Sequence, residues 1–211
     1  MLDSHAVLLM VVYALDVFGT AVFAVTGAFK AIEHKYDIVG IVIVATVTGT
    51  AGGVMRDLLL GIHFPTALTN PVYISVTTVV AICVFLLYRK LKSQKNLFII
   101  FDAIGLGVFT LVGAYTVVVH FGENPLLVII SGVITAIGGG ILRDVLVNEH
   151  PIVFTREIYA AASFLGVVVF YLLEVLQVSL EIAVTTTIMI VIAVRLIAVE
   201  RNWNLPRVTP Q

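Results

Sequence analysis

Charge is the first scarcity. Of 211 residues only 12% are charged, about half of the roughly 25% usual in soluble domains, while 60% are hydrophobic and the mean hydropathy is +1.12. So little polar surface cannot clothe a soluble globule, and a soluble enzyme or binding module is excluded. Cysteine is almost missing too. Cys83 stands alone in an apolar run, where it is expected to be buried; a lone cysteine makes no intrachain disulfide and implies no redox role. The start, Met1-Leu2-Asp3-Ser4-His5, lacks the basic region of a signal peptide, and the run behind it is too long for a leader's apolar core, so the first span is expected to be retained. The short alternating segments of an outer-membrane barrel are absent as well. No GxSxG, P-loop, HExxH or GxGxxG context occurs. Without a candidate nucleophile, no enzyme, cofactor or metal site is expected.

What is present is long uninterrupted hydrophobicity. A helix needs about 20 apolar residues to cross a hydrocarbon core of about 30 Å. Seven stretches qualify as spans: Val7 to Phe29, Ile38 to Leu60, Val72 to Tyr88, Leu97 to His120, Leu126 to Val147, the shorter Ile158 to Leu173, and Ile182 to Val199. The reading is therefore an all-α integral membrane protein, a single transmembrane domain of seven helices covering residues 1–211. Lys30, Lys35, Arg89, Lys90, Lys92, Lys95, Arg156, Arg201 and Arg207 fall on one face, and Arg195 lies close enough to it to snorkel there. Asp3, Glu123, Glu174 and Glu181 fall on the other. By the positive-inside rule the N-terminus is outside and the C-terminus cytoplasmic, in the inner (plasma) membrane. The Arg89 to Lys95 cluster is first an orientation signal, with contact to membrane lipids as a second role. No nucleic-acid partner is expected.

The chain repeats itself, which is the most informative signal it carries. Asp16, Gly19, Phe23 and Gly27 recur 86 residues later as Asp102, Gly105, Phe109 and Gly113. Thr48 and the run Gly52-Gly53-Val54-Met55-Arg56-Asp57 recur 87 residues later as Thr135 and Gly139-Gly140-Ile141-Leu142-Arg143-Asp144. The unit, about 7–90 and again about 97–175, is three spans long. An odd number of spans makes its two copies enter the membrane from opposite sides, and a seventh helix, about 182–199, stands outside the symmetry. Inverted repeats with paired glycine-bearing helices are a recurring plan of membrane transport proteins. The glycines of the second and fifth helices permit a kink. They equally suit close helix packing.

Six ionisable residues lie within spans: Asp16, Arg56 and Asp57 in the outer half, and Asp102, Arg143 and Asp144 in the inner half. A charge there costs on the order of 3 kcal/mol and marks function by default. Each half holds two carboxylates and one guanidinium. Pairing of Arg56 with Asp16 and of Arg143 with Asp102 is expected, leaving one negative charge at each end of a path pinched at the glycines, an arrangement that favours cations. The plainer reading is that these are salt bridges holding helices together. His63 and His150 recur near the span ends without a second ligand at metal spacing and read as interfacial.

The doubled glycine-rich motif with Asp16 and Asp102 upstream and a seventh span resembles the prokaryotic branch of the trimeric intracellular cation channels, sequences also labelled as glycine transporters. The resemblance covers essentially the whole chain. It implies a homotrimer with one pore per protomer, bordered by the first, second, fourth and fifth spans. It also implies passive conduction of K⁺ and Na⁺, and gating tied to basic residues on kinked second and fifth helices, here Arg56 and Arg143. Ala51 stands where the second copy has Gly138, which implies a stiffer first kink. Animal members carry Lys-Glu-Val near where this chain has Arg143-Asp144-Val145, so their Ca²⁺ and phosphoinositide regulation is not carried over. The pore and gating set is thus Asp16, Thr48, Gly52, Gly53, Arg56, Asp57, Asp102, Thr135, Gly139, Gly140, Arg143 and Asp144. The alternatives are a secondary transporter of a small solute such as glycine, and a membrane scaffold that transports nothing.

Overall fold

The computed structural model of the protein describes residues 4–62, 64–91, 96–155 and 158–203. Asp3, His63, Lys92, Lys95, Arg156 and Arg207 lie outside the described residues. The described residues form helices α1 (Ser4–Glu33), α2 (Ile38–Leu59), α3 (Thr66–Thr69), α4 (Pro71–Leu91), α5 (Leu97–Phe121), α6 (Pro125–Leu146), α7 (Ile152–Thr155), α8 (Ala160–Val175) and α9 (Leu180–Glu200). Six of them, α1, α2, α4, α5, α6 and α9, are long and apolar enough to cross a membrane. The sixth expected span is α8, which at 16 residues reaches only about 24 Å at 1.5 Å per residue.

Helix ends follow local chemistry. Asp37 caps α2 by accepting from the Gly40 amide at 2.7 Å, and Asn124 caps α6 by accepting from Leu127 at 3.2 Å, with Pro125 in the first turn. Such caps satisfy amides that the helix itself leaves open. Both helices stop just before a left-handed residue, Gly61 (φ 69°) and Asn148 (φ 59°), the types that adopt that conformation at least cost.

Chain ends gather at two poles. Lys30 and His34 at the end of α1 meet Glu149 beyond α6, and Tyr36 before α2 donates to the Leu146 carbonyl at 2.7 Å. At the other pole Asn70, just before α4, donates to Tyr13 near the start of α1 at 3.0 Å. The first pole carries Lys30 and Lys35, and α4 brings Arg89 and Lys90 to it; it is the basic end.

The centre is a crossing of α2 and α6. A Cβ added at Gly52 would strike the Thr135 carbonyl oxygen, and one added at Gly139 would strike the Thr48 carbonyl oxygen. Each contact is the other with partners exchanged. Above and below it, α1 and α5 exchange aromatic rings in the same way: Phe109 packs on Gly19 and Phe23 on Gly105, and the two rings meet edge to face at 5.2 Å.

α2 and α6 run through their glycines as continuous helices, and the glycines admit a neighbouring backbone. The threonine hydroxyls still bond back to carbonyls four residues earlier, Thr48 to Val44 and Thr135 to Ser131 at 2.6 Å each, a contact that bends helices without breaking them. Two expectations need correction here. Cys83 is exposed, since α4 packs at the rim. Arg195 does not snorkel; it is buried because it finds ionic and aromatic partners within the bundle.

The crossing predicts a contrast between adjacent glycines. Gly52→Ala and Gly139→Ala are expected to lower stability by about 1–3 kcal/mol through overpacking. Gly53→Ala, where the nearest atom outside the helix's own backbone among the described residues is Arg56 Nη2 at 3.7 Å, is expected to be neutral or stabilising, alanine being the better helix former. Unfolding midpoints in mild detergent read the difference.

Candidate functional site: two buried guanidinium–carboxylate clusters

Two clusters flank the crossing. In the one nearer the basic end, Arg143 Nη1 lies 2.9 Å from Asp102 Oδ1 and its Nε lies 2.8 Å from Asp144 Oδ1. Thr26 accepts a further bond from Nη1 at 3.0 Å, and the guanidinium stands 4.8 Å from the Phe98 ring centroid. Tyr159 donates to Asp102 at 3.2 Å. From α9, Arg195 Nη2 reaches to 3.7 Å from Asp102 Oδ2 and its guanidinium sits 4.7 Å from the Tyr159 ring centroid. Asp102, Arg143 and Asp144 are buried.

The other cluster repeats this plan more loosely. Arg56 Nε holds Asp57 Oδ1 at 2.8 Å, but Arg56 Nη2 stands 4.0 Å from Asp16 Oδ2. Asp16 accepts instead from Tyr73 at 2.7 Å. The position of Thr26 is taken by Val112 in this half, and Arg56 Nη1 has no hydrogen-bond partner among the described residues although the residue is only 4% exposed. A cavity of about 290 Å³ opens onto the cluster, lined by Asp16, Arg56, Asp57, Tyr73, Val112 and His120 among others. A second, much smaller pocket of about 10 Å³ shares Asp16, Arg56 and Tyr73 with it and is lined also by Thr20, Gly49, Thr50, Gly53 and Phe109.

The two clusters bring together Asp16, Arg56 and Asp57, and Asp102, Arg143 and Asp144. Asp57 and Asp144 are engaged on both oxygens: the second accepts the amide that opens the next short helix, Thr66 at 2.8 Å and Ile152 at 2.9 Å. They orient the guanidinium and anchor α3 and α7. Thr48, Thr135, Gly52 and Gly139 sit at the crossing between the clusters, Gly53 lines the smaller pocket, and Gly140 faces the Tyr159 hydroxyl. Sequence reasoning missed Tyr73, Tyr159, Thr26, Phe98 and Arg195. The two tyrosines are themselves 86 residues apart, so the repeat held a signal for them. Arg195 has no counterpart, because α9 lies outside the repeat.

Duplicated polar clusters buried among six helices long and apolar enough to cross a membrane, one of them beside a cavity, define a multi-pass helical membrane protein. A family model described as Glycine transporter matches the chain twice, over residues 13–89 and 99–174. The chain is 35% identical to a UPF0126 membrane protein of Vibrio cholerae over 92% of this chain and 81% of that one. Among solved structures it is similar to the TRIC trimeric intracellular cation channel orthologue of Rhodobacter sphaeroides, with a TM-score of 0.86 and 34% identity over 92% of this chain and 99% of the other. A second, solved to explain conductance through TRIC cation channels, gives a TM-score of 0.85 and 34% identity over 94% and 97% of the two chains. The chain belongs to the UPF0126, or glycine transporter, family that contains the prokaryotic TRIC channels.

The unequal clusters predict unequal costs. Asp102→Asn strips a fully buried partner from Arg143, a loss of about 3–5 kcal/mol. Asp16→Asn, beside an open cavity and 4.0 Å from its arginine, is expected to cost clearly less. Equal shifts in the unfolding midpoint would contradict the difference in packing.

Proposed function

We propose that the protein is a passive channel for monovalent cations, K⁺ and Na⁺, with one conduit in each protomer of a homotrimer, its inverted three-helix repeats oriented with the basic end cytoplasmic in the inner (plasma) membrane. The observation that carries this reading is the cavity of about 290 Å³ ending on Asp16, Arg56 and Asp57, a cluster with one formal negative charge more than positive. An apolar-walled mouth with residual negative charge concentrates cations. A smaller pocket that shares Asp16, Arg56 and Tyr73 with it is lined by Gly49 and Gly53, on either side of the crossing glycine, and by Phe109. The similarity of the whole chain to TRIC cation channels supports the same function, and the trimer is proposed from those relatives.

A second reading has one specific observation behind it. Arg56, whose Nη1 is buried and has no hydrogen-bond partner among the described residues, lines the same cavity as Asp16. A guanidinium donor beside an acid suits a small zwitterion such as glycine, carboxylate to one and ammonium to the other. That would make the protein a carrier.

Purified protein in a planar bilayer under a KCl gradient separates them. A channel gives unitary steps with a reversal potential of cation sign, and Asp16→Asn lowers cation-over-anion permeability severalfold. Glycine-coupled uptake without unitary steps selects the carrier, and a reversal potential of anion sign removes the cation reading.

A further inference from the structure

The two ends differ at positions that the repeat makes equivalent. Val12, Thr116 and Ile62 line the open cavity; 86 or 87 residues away, their mates are Phe98, Lys30 and Glu149. Local geometry supports the mating independently of spacing. The Ile62 amide donates to the Asp57 carbonyl at 2.9 Å just after left-handed Gly61, as the Glu149 amide donates to Asp144 at 2.8 Å just after left-handed Asn148. His120 Nδ1 lies 2.9 Å from the Thr116 carbonyl, as His34 Nδ1 lies 2.9 Å from the Lys30 carbonyl.

At the basic end the three mates are joined. Lys30 Nζ bonds to both oxygens of Glu149 at 2.9 and 2.7 Å, and His34 Nε2 stands 3.3 Å from the same carboxylate. The Phe98 ring carries two cations, Lys30 Nζ at 5.4 Å and the Arg143 guanidinium at 4.8 Å from its centroid. Cation–π attraction of this kind strengthens as water is excluded. An aromatic ring thus occupies, directly outside Arg143, the place that Val12 leaves open outside Arg56.

We propose that Phe98, held by Lys30 and Arg143 and latched by the Lys30–Glu149 ion pair, is the gate at the basic end of the conduit. The inference rests on the conduction reading above and adds the site and chemistry of closure. Release requires only that Lys30 leave Glu149, after which the ring loses one of its two cations and is free to change rotamer. The opposite end cannot copy this latch, because Val12, Thr116 and Ile62 offer no charge. A single gate with unlike ends fits a channel. A carrier built on inverted repeats closes its two ends in turn by equivalent contacts, which this pair of ends lacks.

Two readouts test it. In a Cys83→Ala background, Thr26→Cys places a thiol beside Arg143, one helical turn deeper than Lys30. Its modification by a membrane-impermeant thiol reagent added from the basic side is expected to accelerate at least tenfold when Glu149→Gln is added. In bilayers, E149Q and Phe98→Ala in the otherwise unaltered chain are each expected to raise open probability severalfold. E149Q leaves unitary conductance unchanged, and the paired swap Lys30→Glu with Glu149→Lys returns open probability to its starting value. Labelling that is equally fast with and without E149Q, or an open probability unmoved by both E149Q and F98A in a conducting protein, overturns the gate. Accelerated labelling with no current from any variant, including the unaltered chain, sinks the conduction reading and leaves the closure in place.

Discussion

The backbone contact between α2 and α6 at Gly52 and Gly139 is the constraint on which the rest of the structure depends. Two helices whose carbonyl oxygens approach each other's glycines so closely have no slack for a side chain at either position. In a bilayer, where lipid tails are as apolar as leucine, close backbone approach is a main source of helix association. The crossing also fixes where the charges fall. Arg56 and Arg143 each follow their glycine by one turn, so each is placed beyond the crossing on its own side, and the carboxylates of α1 and α5 meet them there. Thr48 and Thr135 contribute carbonyls to the contact while their hydroxyls bond within their own helices. A polar residue at mid-membrane is thereby satisfied without a partner helix.

How much of this was legible in the sequence depended on whether a feature was repeated. The duplicated spacing of Asp16 and Asp102 and of Arg56-Asp57 and Arg143-Asp144 located both clusters, because buried charges are rare enough in apolar helices to stand out. Tyr73 and Tyr159 obey the same offset but passed as ordinary aromatics, since a tyrosine near a span end is unremarkable until its hydroxyl is seen to bind an acid. Arg195 was misplaced for a physical reason. Four residues from the end of its expected span at Val199, an arginine reaches the interface as readily as the interior, and only the presence of Asp102 and Tyr159 against α9 decides between them. Glycine pairs were similarly ambiguous: the letter permits either a broken helix or a close neighbour, and nothing local to α2 or α6 distinguishes the two.

Near-symmetry makes the departures informative. Formal charge in the Arg56 cluster sums to one negative unit; around Arg143 the addition of Arg195 brings the sum to zero. The first borders a cavity of about 290 Å³, and Asp16 keeps 8% of its surface exposed. In the second, Asp102 and Arg143 are fully buried, and a residual charge in such a place would carry a desolvation penalty of several kcal/mol. The seventh helix supplies the compensating cation where burial is complete and is not duplicated where it is not. Val112 in place of Thr26 follows the same logic. Arg143 has its Nη1 satisfied by a hydroxyl and a carboxylate, whereas Arg56 Nη1, with a valine in the hydroxyl's place, has no hydrogen-bond partner among the described residues. The one helix outside the repeat therefore has a definite electrostatic task at the basic end of the molecule.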